Sequence, residues 1–366
     1  MKFFRLIKQI SPATFVIFIA TALIWASRES AKECAKAAAL CISVLIPSLF
    51  AFTAASKLLI STETYKLLGR PFSLFSRYIL RMPEEFFPVF LISQLAGYPI
   101  GAALINEMRE SGRLSEGSAE ELLCFCIAPG PAYIMAVSAA AAPRSSEAWI
   151  AVMLGVSGAN LIAALVTAPF RTIPEKSGEK VTPRLTAEDI TAAAHSASES
   201  MTMICAMVLL MAALMGIFTK AGLLSGISML ISKLTDAPAA QVYPFARSFF
   251  EISNLCGVFG EQSAILPLTA AFLSFGGLCV HMQIKAVCSG FSPLKALLWR
   301  VPCAVTAYFI CRSFIPKFCV VSVITVSAPV YEEIRFSEYS PLLSIILLIM
   351  TILILSQKNV AKQKKI

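Results

Sequence analysis

The chain has 366 residues, of which 57% are hydrophobic and only 14% are charged. Soluble domains contain about 45–50% apolar and about 25% charged residues, so this composition excludes an ordinary soluble protein. Continuous apolar runs and a mean hydropathy of +0.75 indicate a polytopic α-helical membrane protein. A transmembrane β-barrel is excluded, because its strands would alternate apolar and polar residues.

The net charge of +9 lies in short polar connectors and at both termini. This distribution is typical of membrane topology, since cytoplasmic loops collect Lys and Arg. We therefore expect the lipid bilayer, and not a nucleic acid, as the partner. The 11 cysteines lie mainly in apolar segments and include no CxxC pair, so the sequence predicts neither a metal site nor a cofactor.

The N-terminal region combines Lys and Arg residues with the apolar run 13–26, which is typical of either a signal peptide or a first membrane anchor. We expect an anchor within residues 1–28, because Trp25 and Arg28 resemble an interfacial belt and further spans follow. A second apolar helix, interrupted by Pro47, is predicted over residues 34–60.

The basic amphipathic stretch 62–82 is predicted to lie in the membrane interface, and a third span is predicted over residues 86–106. Residues 119–142 contain Ala128-Pro129-Gly130-Pro131, which predicts a re-entrant or broken helix because Pro removes a backbone donor. A span over 148–170 precedes the polar linker 171–189, which divides the chain into halves.

The second half repeats this mixture of long and interrupted apolar segments. We predict an apolar helix ending near Phe218, an amphipathic stretch over 222–234, an interrupted segment over 242–260, spans over 265–285 and 294–315, a marginal apolar piece over 319–330 and a last anchor over 341–355.

Charge balance across the loops predicts roughly eight crossings plus one or two re-entrant pieces, with both termini cytoplasmic. The expected location is a bacterial cell membrane, and the sequence is compatible with an oligomer. Four segments follow from this reading: an N-terminal anchor (1–28), a first repeat with its cytoplasmic linker (29–184), a second repeat (185–316), and a C-terminal anchor with a basic tail (317–366).

The two halves echo each other around glycine-marked spans. Pro88 precedes the segment Gln94-Leu95-Ala96-Gly97-Tyr98-Pro99-Ile100-Gly101, and Pro267 precedes Ser274-Phe275-Gly276-Gly277-Leu278-Cys279-Val280-His281. Because the second half begins on the opposite side in the crossing count, the halves are predicted to be inverted repeats. Transporters commonly place their site between such repeats, at interrupted helices near the midplane.

Three motifs carry a family resemblance: Gly97-Tyr98-Pro99-Ile100-Gly101-Ala102, the run 120–126 with Gly130-Pro131-Ala132, and Gly276-Gly277-Leu278-Cys279-Val280-His281-Met282-Gln283. Over residues 30–316 the chain resembles the YlbJ-type sporulation integral membrane proteins of the nucleoside-recognition (Gate) group. The resemblance implies two inverted Gate-like repeats, a nucleoside-like solute and a link to sporulation. The family commonly has Asn where this chain has Ile127 and Ala128.

The candidate solute-binding residues lie in the glycine-marked spans and the interrupted segments. Packing or a simple kink could equally explain the glycines and prolines, and His281 could equally lie at the water boundary. Arg247 and Glu251, four residues apart, could neutralise each other. The full set is Gln94, Gly97, Tyr98, Pro99, Gly101, Pro129, Gly130, Pro131, Glu251, Ser253, Asn254, Gly257, Gly276, Gly277, His281 and Gln283.

Two functions remain open. The first is a permease or channel for a small polar solute, indicated by the duplication and the polar residues inside apolar segments. The second is a non-transporting scaffold for spore envelope or cortex assembly, indicated by the family resemblance and the apolar Ile127. An enzyme is not expected, because the sequence contains no HExxH or GxSxG motif.

Overall fold

The computed structural model describes residues 2–83, 86–110, 112–143, 145, 147–171, 185–258, 262–288 and 290–318. Helices dominate these residues, and no β-strand occurs among them, in agreement with the predicted all-α class. The first compact unit of the chain is Met1–Ser322. All described residues belong to the first unit, and the predicted segments 319–330 and 341–355 lie outside them.

The first three helices follow the predicted N-terminal segments. Helix α1 (Lys2–Trp25) meets α2 (Ser27–Leu40) at a bend of 88°, and a π-helical turn (Cys41–Leu45) leads into α3 (Ile46–Ser61). The turn precedes Pro47, which lacks the N–H that an uninterrupted α-helical ladder needs. The predicted interruption of the second apolar helix is therefore a local change of helix type.

The basic amphipathic stretch forms short helical pieces, namely α4 (Tyr65–Gly69), a 3₁₀ turn (Arg70–Phe72) and a π-helical turn (Phe75–Ile79). Large apolar side chains on it are exposed in the protein alone, which is consistent with the predicted position in the membrane interface. They are Leu68, Phe72, Leu74, Tyr78 and Ile79.

The segment predicted as a third span is two helices, α5 (Phe86–Ala96) and α6 (Tyr98–Glu110), separated at Gly97. The next segment is also broken, into α7 (Glu116–Leu123) and α8 (Pro131–Ala141). Pro131 begins α8, where its missing N–H costs no helical hydrogen bond. We call residues 124–130, which join these two helices, the hairpin.

Longer helices follow. They are α9 (Ala148–Thr167) and α10 (Ala187–Lys220), then the amphipathic α11 (Leu223–Thr235), and α12 (Ala239–Ser248) with a 3₁₀ helix (Ile252–Gly257). The predicted span near residues 265–285 is broken at Gly276 into α13 (Gln262–Phe275) and α14 (Gly277–Val287), and α15 (Leu294–Phe318) completes the unit.

Helices from the two halves of the sequence pack directly on each other. Helix α15 lies against α9 and α13, α10 lies against α2 and α3, and α6 lies against α14. The α9–α15 contact is close at Gly155, where an added β-carbon would lie 2.9 Å from the Ala307 carbonyl oxygen. The broken helices are thereby held between longer helices of both halves.

Four helices are long and apolar enough to cross a bilayer: Ala148–Phe170, Ala187–Lys220, Ala264–Val287 and Leu294–Lys317. A fifth span results if the bent pair Thr14–Trp25 and Ser27–Leu45 counts as one. A membrane protein is thus supported by the fold, together with shorter apolar helices.

Candidate functional site

A small cavity lies where the interrupted helices meet. Its volume is about 40 Å³, which leaves room for a few water molecules. Both glycine-marked halves and the hairpin contribute to its wall. Eight of the sequence-predicted residues line it: Gly97, Tyr98, Pro99, Pro129, Gly130, Glu251, Ser253 and Gln283.

Gly97 lets the chain break between α5 and α6 beside the cavity. Its φ of +96° is a conformation that favours glycine, and an added β-carbon would lie 3.1 Å from a methyl group of Leu49. The hairpin approaches closely here, since an added β-carbon on Gly130 would lie 3.1 Å from the Leu95 carbonyl oxygen. Bare backbone from two broken helices therefore meets at the cavity wall.

Glu251 is the acidic group of the cavity. Its side chain is buried, at 4% exposure, and its Oε1 accepts a hydrogen bond of 3.2 Å from the Ser253 amide. Its Oε2 has no hydrogen-bond partner among the described residues. The expected neutralisation by Arg247 is wrong, because the Arg247 guanidinium instead pairs with Glu33 in α2 and donates to the Asn254 side chain. Glu251 is thus a buried carboxyl beside the Cys279 thiol, and its Oε2 accepts no hydrogen bond from the described residues.

Tyr133 of α8 is a second unsatisfied polar group on the same wall. It is 3% exposed, and its hydroxyl has no hydrogen-bond partner among the residues that the structure describes. Gln283 also lines the cavity, and its Nε2 donates to the Cys279 sulfur at 3.5 Å. A buried hydroxyl and carboxylate normally have partners, so these two groups are suited to hydrogen-bond a polar ligand.

Tyr98 joins the two glycine breaks. Its hydroxyl donates a hydrogen bond of 2.6 Å to the Leu273 carbonyl near the end of α13, and Gly276 lies beside its ring with a φ of +93°. At Gly277, an added β-carbon would lie 2.9 Å from the Ser248 carbonyl oxygen. Both second-half glycines therefore serve close packing around the cavity and do not line it.

The hairpin is held by buried side chains that do not line the cavity. Gln94 donates to the Phe125 carbonyl at 3.3 Å, and Asn160 donates to the Ile127 carbonyl at 3.0 Å and to the Gln94 side chain at 2.9 Å. Gln94 was expected to bind solute; the structure places it in this support instead of on the cavity wall.

Arg300 of α15 completes this support. It is fully buried and donates to the Ile127 carbonyl and to the Asn160 side chain, each at 2.9 Å, and also to the Cys124 carbonyl. The sequence interpretation missed Arg300 and Asn160. A charged residue and an Asn inside two predicted spans were the available signal, since polar groups at membrane depth are costly and are retained for a purpose.

The remaining predicted residues lie around the site. Gly101 packs against the hairpin, Pro131 begins α8, and Asn254 accepts from Arg247. Gly257 ends the 3₁₀ helix, and an added β-carbon there would meet no atom within 4 Å.

His281 faces a different cavity. This second cavity has a volume of about 380 Å³ and is also lined by Ile127, Lys285 and Ser292. The His281 Nε2 atom is buried without a hydrogen-bond partner among the described residues. The hairpin thus contributes Ile127 to the second cavity and Pro129 and Gly130 to the first.

Comparison of the chain with protein-family models, with curated proteins and with solved structures finds no match.

Proposed function

We propose that the chain is a membrane permease for a small polar solute, with its binding site in the cavity at Glu251. The observation that carries this proposal is the pair of unpartnered atoms, Glu251 Oε2 and the Tyr133 hydroxyl, buried on the wall of one cavity between broken helices. Interrupted helices at membrane depth are tolerated where they line a cavity, and transporters use them to bind solutes.

The chemistry of the wall favours a solute that offers several hydrogen-bond donors and acceptors. Glu251 accepts hydrogen bonds, Tyr133 can donate or accept one, and the Gln283 amide can do both. Nucleosides have this chemistry, and the resemblance to Gate-type proteins supports the same class. The cavity of about 40 Å³ is too small for a nucleoside, so binding would require its walls to separate.

We also propose a finer topology for the protein. In this topology the chain crosses a bacterial cell membrane roughly eight times, both termini are cytoplasmic, and the two halves are inverted Gate-like repeats. The proposed cellular role is linked to sporulation. Two parallels support the repeats: Gly97 and Gly276 break their helices with φ values of +96° and +93°, and the helices that follow, α6 and α14, pack together.

Thermal stabilisation of the purified protein by a panel of nucleosides and nucleobases tests this function, because a ligand of the folded state raises its apparent stability. A binder should lose its effect in Glu251→Gln and Tyr133→Phe. The matched controls are Glu107→Gln and Tyr78→Phe, whose side chains are exposed. Uptake of the binder into proteoliposomes should likewise be lost in Glu251→Gln and Tyr133→Phe and retained in the two controls. Binding without uptake, or uptake that ignores Glu251, would contradict a permease with this site.

A further inference from the structure

The hairpin leaves four consecutive backbone carbonyls, those of residues 124–127, outside any regular helix. Pro129 and Pro131 have no N–H groups, so the Phe125 and Ile127 carbonyls have no helical donor four residues ahead. Buried carbonyls need partners, and a membrane supplies no water to replace them. The groups that contact these four oxygens therefore hold the hairpin in place.

Side chains from three helices supply the partners. Arg300 of α15 donates to the Cys124 and Ile127 carbonyls, and Asn160 of α9 also donates to Ile127. Gln94 of α5 donates to the Phe125 carbonyl. All three side chains are at least nine-tenths buried.

The Cys126 carbonyl is accommodated without a polar side chain. An added β-carbon on Gly101 would lie 2.1 Å from this oxygen, so it rests directly on the backbone of α6. The hairpin carbonyls are therefore held by side-chain hydrogen bonds and one close backbone contact, whereas the N–H groups of residues 124–126 donate back to Glu121 and Leu122 of α7.

Arg300 makes these bonds without an acidic partner. Its guanidinium contacts carbonyl oxygens, the Asn160 side chain and the Cys303 sulfur, and no carboxylate among the described residues forms an ion pair with it. Hydrogen bonds from a charged donor are stronger than those between neutral groups, so Arg300 is the strongest side-chain support of the hairpin.

The hairpin also stands between the two cavities. Ile127 lines the cavity of about 380 Å³ at His281, and Pro129 and Gly130 line the smaller cavity at Glu251. A displacement of the hairpin from its side-chain donors would therefore move part of the wall of both cavities.

We infer that Arg300 and Asn160 are positioning residues that hold the hairpin as the gate between the two cavities. The inference rests on the proposed permease function for its purpose, but the position and release of the hairpin can be measured without any solute.

The hairpin carries its own probe. Cys126 is fully buried, so it reacts slowly with alkylating reagents while the hairpin is in place. Cys311, fully buried in α15 against α9, reports any general loosening of the same helices. The rate at which N-ethylmaleimide modifies each cysteine in the purified full chain is measured by peptide mass spectrometry.

Asn160→Ala and Arg300→Met should increase the alkylation rate of Cys126 about tenfold or more, because they remove donors from the hairpin and populate its open state. Arg300→Lys should show a smaller increase, because it keeps the charge and a donor. Cys311 should react at the wild-type rate in all three variants. If Arg300→Met does not fold, Asn160→Ala and Gln94→Met decide the question.

An unchanged Cys126 rate in Asn160→Ala would overturn the inference, and so would a parallel rise at Cys126 and Cys311. Glu251→Gln separates the two proposals, since it should abolish stabilisation by solute and leave the Cys126 rate unchanged. A hairpin that opens as expected in a protein that binds no solute would refute the permease alone.

Discussion

Gly101 lies directly beneath the Cys126 carbonyl, at a distance that excludes any side chain. An added β-carbon would be 2.1 Å from that oxygen and 2.8 Å from the β-carbon of Ser93. The Gly97-to-Gly101 spacing resembles a helix-dimerisation motif, but the second glycine serves the approach of the hairpin within one chain. The position therefore links helix packing to the geometry of the candidate gate.

Gly101→Ala should destabilise the protein by about 1–3 kcal/mol or prevent its folding, because the Cys126 carbonyl on one side and the Ser93 β-carbon on the other must shift. The readout is the melting temperature of the purified protein, with the yield of monodisperse protein as a second measure. Gly117→Ala in α7 is the matched control, since an added β-carbon there meets nothing within 4 Å. It should be neutral or stabilising by about 0.5–1 kcal/mol. Equal melting temperatures for the two variants would contradict the close contact.

Tyr98→Phe should destabilise the protein by about 1–3 kcal/mol, because it leaves the buried Leu273 carbonyl without its donor at 2.6 Å. The control is Tyr78→Phe, whose ring is 59% exposed and whose melting temperature should not change. Chemical denaturation in mild detergent gives the free energies of unfolding. A Tyr98→Phe protein as stable as wild type would show that this hydrogen bond does not tie the two glycine breaks together.

The sequence pattern predicted the helical class and the broken segment 119–142, because apolar runs and Pro-Gly-Pro clusters act locally. It predicted 86–106 and 265–285 as single spans, and the structure breaks them at Gly97 and Gly276. It located α9, α10 and α15 within a few residues, and it predicted the interruption at Pro129. It also predicted eight residues that line one cavity. The glycines and prolines among them were chosen because they interrupt helices, and not because their side chains could bind a solute.

Partners that are distant in sequence could not be predicted from local pattern. Arg247 was matched with Glu251 because they are four residues apart, but α2 packs beside α12 and brings Glu33 closer. Tyr133 was not among the predicted site residues, since only the cavity reveals its unpartnered hydroxyl. Tertiary packing, and not helical periodicity, selects these contacts.

The ion pair between Glu33 and Arg247 should contribute measurably to stability, because both side chains are largely buried, at 10% and 14% exposure. Glu33→Ala or Arg247→Ala alone should cost about 1.5–3 kcal/mol, since each removes a charge-assisted hydrogen bond while Lys36 still faces Glu33 and Asn254 still faces Arg247. The double variant should cost less than the sum of the two, which a double-mutant cycle measures. The pair Lys57 and Glu107, at 17% and 48% exposure, is the control and should couple by about 0.2–1 kcal/mol. Additive effects at Glu33 and Arg247 would contradict the pairing.

Helix α10 is longer than a bilayer requires, and its first turns should project from the membrane. Its 34 residues span about 51 Å at 1.5 Å per residue, against a hydrocarbon core of about 30 Å. His195 and Leu210 have similar exposure in the protein alone, with 56% of the His195 side chain and 48% of Leu210 accessible. In a bilayer, lipid should cover Leu210 and leave His195 accessible to reagents in water.

A membrane-impermeant maleimide should therefore label His195→Cys in membrane vesicles and leave Leu210→Cys unmodified, with each site quantified by peptide mass spectrometry. Both positions should be labelled at comparable rates after transfer to a detergent-free denaturant, which controls for intrinsic reactivity. Because the linker before α10 is expected in the cytoplasm, His195→Cys should be labelled in inverted vesicles and protected in intact cells. Labelling of Leu210→Cys in sealed vesicles would show that this part of α10 lines water, and labelling of His195→Cys in intact cells would reverse the proposed orientation.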